Sequence, residues 1–186
     1  MEIENRMPLD LYDLDRTTRK LMLREIAFDE ERGGFYLSPR LSEKGRKDYR
    51  RLLTRAVVSY GDQWLADQLR TRGRINETQE RRNPRGGVMT VKMPVNAPDI
   101  LAQGEFNRYY LRALCLRAVK RGDAKLIVHR ARHSAKPRPE SQRLEGTALD
   151  ARRLLRDLRR RTGAAMAGVL PVGPNSGLSA RLPRGG

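Results

Sequence analysis

Six residues, Tyr49, Leu52, Leu53, Ala56, Val57 and Tyr60, fall at i, i+3, i+4, i+7, i+8 and i+11 within "LSEKGRKDYRRLLTRAVVSYGDQWLADQLRTRG". That spacing puts all six on one stripe of an α-helix, so the chain must bury at least one amphipathic helix. Ser42 stands where an N-cap is needed. Gly61 and Asp62 break or restart the helix, and Trp64, Leu65 and Leu69 carry an apolar side on to about residue 71.

The segments on either side extend the pattern. Upstream, Leu21, Leu23, Ile26 and Phe28 give a shorter helix an apolar side over residues 15–31, after an extended arm and before Gly33 and Gly34. Downstream, "VMTVKMPV" reads as a strand. Asn96 caps a short helix, "NAPDILAQ", with Pro98 in its first turn, and Gly104 separates it from a long helix, "EFNRYYLRALCLRAVKR". Gly122 ends that helix, and "AKLIVHRA" has the continuous apolar run of a buried strand. Strand, helix and strand predict a βαβ unit with a right-handed crossover. After a Pro-containing connection, Asp150 caps "DARRLLRDLRRRTG", whose apolar stripe is Ala151, Leu154, Leu155 and Leu158. The end is rich in Gly and Pro and reads as an extended tail rather than a packed element.

The expected fold class is therefore α+β: a small helix-rich domain with a short βαβ-containing sheet, an extended N-terminal arm and a flexible C-terminal tail. Four stretches follow. Residues 1–40 are an acidic arm and short helix, 41–131 the core, 132–161 a linker and Arg-rich helix, and 162–186 the tail.

Charge is the strongest global signal. The chain has 39 Lys and Arg against 22 Asp and Glu, a formal +17. Residues 1–40 hold nine acids and seven bases, a net of −2, which leaves +19 on the other 146 residues. An excess of that size favours a polyanionic partner, although arginine-rich codon usage also produces it. Two segments carry it most densely. The stretch 70–87, "RTRGRINETQERRNPRGG", lacks helical or strand periodicity and reads as an exposed basic loop with Arg70, Arg72, Arg74, Arg81, Arg82 and Arg85. The late helix carries Arg152, Arg153, Arg156, Arg159 and Arg160 opposite its leucines. These eleven are the candidate nucleic-acid-binding residues, because a guanidinium fork matches phosphate.

On the long helix, Arg108, Arg112, Arg117 and Arg121 spread over a broad side, so a mostly buried helix with one wet basic side is expected. Those arginines are solvated, paired with the acidic arm or Glu105, or set against nucleic acid. Catalytic patterns are sparse. Cys115 sits among apolar helix residues as a small hydrophobe and cannot form an intrachain disulfide alone. His129 and His133 have i, i+4 spacing but lie in strand and loop sequence, which argues against a metal pair. No P-loop or dinucleotide fingerprint is present. Glu105, Asp123 and Glu140 are the carboxylates that could serve a metal-dependent nuclease, and nothing in the sequence makes them converge. No cofactor, metal or catalytic residue is expected. No apolar run is long enough for a bilayer and the first residues are acidic, so a soluble, unexported protein without membrane contact is expected.

The stretches "PVNAPDILAQGEFNRYYLRALCLRA", "HRARHSAKPRPESQRLEG" and "LPVGPNSGLSARLP" resemble small proteins encoded by actinobacterial tailed phages and prophages, over roughly residues 85–182. The resemblance implies a role in or around a phage particle, in the virion or the host cytoplasm. The expected function is thus a non-enzymatic structural or assembly protein. It would contact other particle subunits or copies of itself through its arms, and nucleic acid through the Arg-rich segments. The alternatives are a stand-alone, sequence-independent DNA-binding protein and, behind it, a metal-dependent nuclease.

Overall fold

A computed structural model describes residues 7–71, 73–84, 86–132, 139–160, 162 and 177–184. Its elements in chain order are α1 (Arg16–Glu31), α2 (Glu43–Ser59), α3 (Asp62–Arg70), β1 (Thr78–Arg82), β2 (Val88–Lys92), α4 (Ala97–Arg121), β3 (Lys125–Arg130), α5 (Pro139–Leu144), β4 (Ala148–Asp150), α6 (Ala151–Arg160) and β5 (Leu178–Arg181). The chain is an α+β protein with one central helix. α4 packs against α1, α3, α6 and the strands β3 and β5, while α2 bridges α1 and α3.

Local signals set several helix ends, although Asn96, at the N-cap of α4, does not make the side-chain capping bond expected of it. Asp15 accepts from the Thr18 amide at 2.9 Å, Ser42 from the Gly45 amide at 3.0 Å and Asp150 from the Arg153 amide at 2.7 Å. Gly122, with φ at +82°, closes α4 in the left-handed conformation that glycine adopts freely. Tyr49, Leu52, Leu53, Ala56 and Val57 are buried as their spacing requires, and Tyr60 follows the helix end exposed. Each buried leucine contributes about 1.5–3 kcal/mol relative to exposure.

Four expectations are corrected. Gly104 does not divide two helices: α4 runs unbroken for 25 residues. A helical glycine costs roughly 1 kcal/mol against alanine, and a helix packed on nearly every side can absorb that. The βαβ unit does not form either, because β2 and β3 flank α4 but belong to different sheets. β2 pairs antiparallel with β1 in a two-stranded ribbon, and the second sheet has the antiparallel order β4-β3-β5. The "TQERR" strand lies in sequence read as irregular, since its polar composition hides a partner that only the hairpin supplies. The end of the chain, expected to lack packed structure, provides β5. Ser179 and Ala180 are fully buried there, and Asn107 on α4 donates to the Leu178 carbonyl at 3.0 Å and accepts from the Ser179 hydroxyl at 2.6 Å. Residues 163–176 of the tail lie outside the described residues.

Residues 7–15 of the N-terminal arm form neither helix nor strand and lie on their own chain. The Leu9 amide donates to Asp62 (3.1 Å), the Asp10 amide to the Ala131 carbonyl (2.7 Å) and the Asp13 amide to the Tyr110 hydroxyl (3.1 Å), while Asp13 accepts from the Leu182 amide (2.8 Å). Among the described residues no helix is long and apolar enough to cross a membrane.

Candidate functional site

Glu25 and Asp29 stand four residues apart on α1, and Glu105, Arg108, Tyr109 and Arg112 follow at i, i+3, i+4 and i+7 on α4. Each set occupies one helix face, and the two faces meet. Arg112 forks onto Asp29 at 2.7 and 2.8 Å and reaches Glu25 at 2.7 Å. Arg108 bonds Glu105 at 2.8 and 3.0 Å and Asp29 at 3.2 Å. From α6, Arg159 closes a second fork on Glu25 at 2.6 and 3.0 Å, and the Tyr109 hydroxyl donates to Asp29 at 2.9 Å. Three carboxylates meet three guanidiniums, so the cluster is neutral in sum. Arg108 and Arg112 are 0 % exposed, which corrects the expected wet basic side of this helix.

Burial by itself would raise the Glu25 and Asp29 pKa values. The hydrogen bonds and charges of Arg159 and Arg112 on Glu25, and of Arg112 and Arg108 on Asp29, outweigh it and hold both below the ordinary carboxylate range. Both stay ionised at neutral pH. Phe28 carries the guanidiniums of Arg159 at 4.1 Å and Arg32 at 4.5 Å from its ring centre, and Tyr109 carries Arg108 at 4.4 Å. A charge-balanced cluster of this kind, buried except for the partly exposed Arg159, holds α1, α4 and α6 in register.

The eleven candidate arginines divide into three groups. Arg70 forks onto Asp99 at 2.6 Å and also reaches Asp67, Arg74 bonds Asp48 at 2.8 Å and the Gln68 carbonyl at 2.9 Å, and Arg159 belongs to the buried cluster. The loop around Arg74 is pinned as well. Ser42 donates its amide to the Arg74 carbonyl at 3.0 Å, and a Cβ on Gly45 would stand 2.0 Å from that oxygen. Arg72 and Arg85 lie outside the described residues. Arg81, Arg82, Arg152, Arg153, Arg156 and Arg160 are exposed, and among the described residues none of the six forms an ion pair. On α6 the exposed four cover an arc of about 100°.

Other chemistry is poorly provided for. Burial pushes the Cys115 thiol far up, which leaves it protonated and unreactive. His129, on β3, sets Nε2 2.8 Å from the Asp10 carbonyl, and burial lowers its pKa; His133 lies outside the described residues. Asp62 is buried without a cation partner among the described residues, and desolvation raises its pKa to about 6. Glu105 is held by Arg108, whereas Asp123 and Glu140 are exposed, and no three potential metal ligands converge among the described residues. An open cleft of about 510 Å³ between α3 and the base of the ribbon is lined mainly by Leu69, Ile75, Met93, Pro94, Val95 and Pro98.

Comparison with known proteins finds no matching family model, no similar curated protein and no similar solved structure.

Pairing of the α4 arginines with Glu105 or the acidic N-terminal segment was one of the alternatives the sequence offered, and Arg108 and Arg112 follow it, but the sequence did not single out Glu25 and Asp29 as the partners. The available signal was the matching four-residue spacing of acids on one helix and bases on another, both in phase with apolar core positions. A charged residue in phase with the core is either an error of phase or half of a buried pair.

Proposed function

We propose that this chain is a non-enzymatic structural or assembly protein of a phage-like particle that holds nucleic acid through exposed arginines. The observation carrying this reading is the basic face of α6, where Arg152, Arg153, Arg156 and Arg160 are exposed and have no ion pair among the described residues. Among the described residues the ion pairs engage ten bases and ten acids, which cancel. The formal +17 therefore remains on side chains outside those pairs, where it favours a polyanion. The sequestration of Glu105 and Cys115 supports a non-enzymatic role. The phage setting rests on the sequence resemblance alone.

Contacts with neighbouring subunits fit exposed apolar residues better than the N-terminal arm, whose residues 9, 10 and 13 are bonded to their own core. Val58 and Tyr60 are exposed at the end of α2, with Tyr60 stacked on Trp64.

The test is titration of the purified chain with a random-sequence DNA duplex over a salt series, with light scattering on the same samples. The expected result is affinity that falls steeply with salt, scattering that reports assembly on DNA, and clear weakening in an Arg152→Ala, Arg153→Ala, Arg156→Ala variant. One chain per site with no assembly would favour the stand-alone DNA-binding protein instead. Absence of binding at low salt would overturn the nucleic-acid role.

A further inference from the structure

We propose that the β1–β2 ribbon is a DNA-inserting arm whose basic tip enters a groove of duplex DNA and sets Pro84 against the base steps. This deepens the nucleic-acid reading above and rests on it, but assigns the contact to a different element from α6.

The ribbon stands off the core. Along both strands only Gln79 and Val91 are even half-buried, and these two are cross-strand partners. One face is covered only in part, at the Gln79–Val91 pair where Arg40 donates to Gln79 at 3.2 Å, and a two-stranded ribbon so thinly supported is marginal in water and gains stability from a partner. The register sorts its chemistry. One face carries Gln79, Arg81, Met89 and Val91, while the other carries Thr78, Glu80, Arg82, Val88, Thr90 and Lys92. Near the tip each face ends in an arginine opposite an aliphatic side chain, Arg81 with Met89 and Arg82 with Val88. Neither face has the continuous apolar strip that a protein groove would need.

Charge and tip geometry point the same way. Glu77 precedes the ribbon and Glu80 lies mid-strand, whereas Arg81 and Arg82 are exposed beside the turn. Asn83 closes the turn three times: its amide donates to the Gly87 carbonyl at 2.8 Å, its carbonyl accepts from the Gly86 amide at 3.1 Å, and its side-chain oxygen accepts from the Gly87 amide at 2.9 Å. Pro84 follows Asn83 at the exposed tip, where its ring pre-sets the backbone. Five-residue strands span roughly 17 Å, and paired strands lie about 4.8 Å apart. A ribbon of that size fits a DNA groove, and an exposed proline is one of the apolar wedges that unstack a base step and kink the duplex. Guanidiniums flanking the wedge would anchor it to the phosphates on either side.

The experiment uses the full chain and a duplex of about 30 base pairs carrying a donor and an acceptor dye at its ends, so that binding and bending are read together. Arg81→Ala/Arg82→Ala is expected to weaken binding at least tenfold and to reduce the slope of log affinity against log salt by about 2. Arg81→Gln/Arg82→Gln, which keeps the side-chain length, should behave alike. Pro84→Ala is expected to bind within about threefold of wild type but to lose the bend. Unchanged melting temperatures would assign these effects to the interface.

If the wild type binds DNA and the double variants match it in affinity and slope, the ribbon is not the arm, and the nucleic-acid reading stands on α6 alone. If the wild type fails to bind duplex DNA, both readings fall. Bending that is absent in the wild type, or unchanged in Pro84→Ala, would overturn the wedge.

Discussion

Arg112 on α4 and Arg156 on α6 belong to the same residue type, yet one is fully buried between two carboxylates and the other is exposed. The difference lies in what faces each helix. α4 is surrounded, so a guanidinium on it must find anions, and α1 supplies Glu25 and Asp29 at matching spacing. α6 lays one apolar stripe on α4 and leaves the opposite face to solvent. An excess of arginine therefore says little about ligands until the internally paired ones are set aside.

The largest effect that tests this contrast is Arg112→Met. Removing one partner of a buried pair leaves charges desolvated and uncompensated, so unfolding in urea should show a loss of about 3–5 kcal/mol. A loss below about 1 kcal/mol would mean that the cluster tolerates the vacancy and that the contrast is one of position only.

Next comes acid. Glu25 and Asp29 have folded-state pKa values below their ordinary values, so their stabilising contribution is present above the unfolded-state pKa and is lost as pH falls through the depressed folded one. Melting temperatures should therefore drop below about pH 4, and a flat profile down to pH 2 would remove these carboxylates from the account.

Asp62 sharpens the comparison, because it is a buried carboxylate without a guanidinium. Its pKa is raised to about 6, so the ionised form costs stability above that pH and the cost is relieved as pH falls towards 3.8. Asp62→Asn should stabilise the protein at pH 7 by on the order of 1–2 kcal/mol, with the gain disappearing below about pH 4. A destabilised variant would show that the hydrogen bond from the Leu9 amide to this carboxylate outweighs the cost of its charge.

The smallest effect is expected on the exposed face. Arg152→Ala with Arg153→Ala and Arg156→Ala should leave stability within about 0.5 kcal/mol of wild type. A larger loss in the same urea measurement would show that these side chains also support the fold.

Much of the helical framework was legible in the chain itself. The stripe from Tyr49 to Val57, the caps at Ser42 and Asp150 and the stop at Gly122 are local, and local hydrogen bonds and periodicity write them directly into sequence. The continuity of α4 through Gly104, the hairpin partner of "TQERR", the separate sheets of β2 and β3, and the closing strand at Leu178–Arg181 were not. Each depends on a neighbour far away in the chain that no local pattern names. Of the candidate site, the exposed arginines of α6 could be read from their place opposite Leu154 and Leu158. The sequestration of Arg70, Arg74 and Arg159 could not, because Asp99, Asp48 and Glu25 reach them only through the fold.

By itself, then, the sequence determined where several of the helices start, the apolar stripes of α2 and α6 and how much positive charge the protein carries. The tertiary structure decided which of those charges meet another charge, because the pairing of Arg112 with Asp29, 83 positions apart, is a matter of which helices touch. Periodicity fixes the face a residue points to. Only packing fixes what lies opposite that face, and for a guanidinium the opposite group decides between a strut inside the protein and a charge left to solvent.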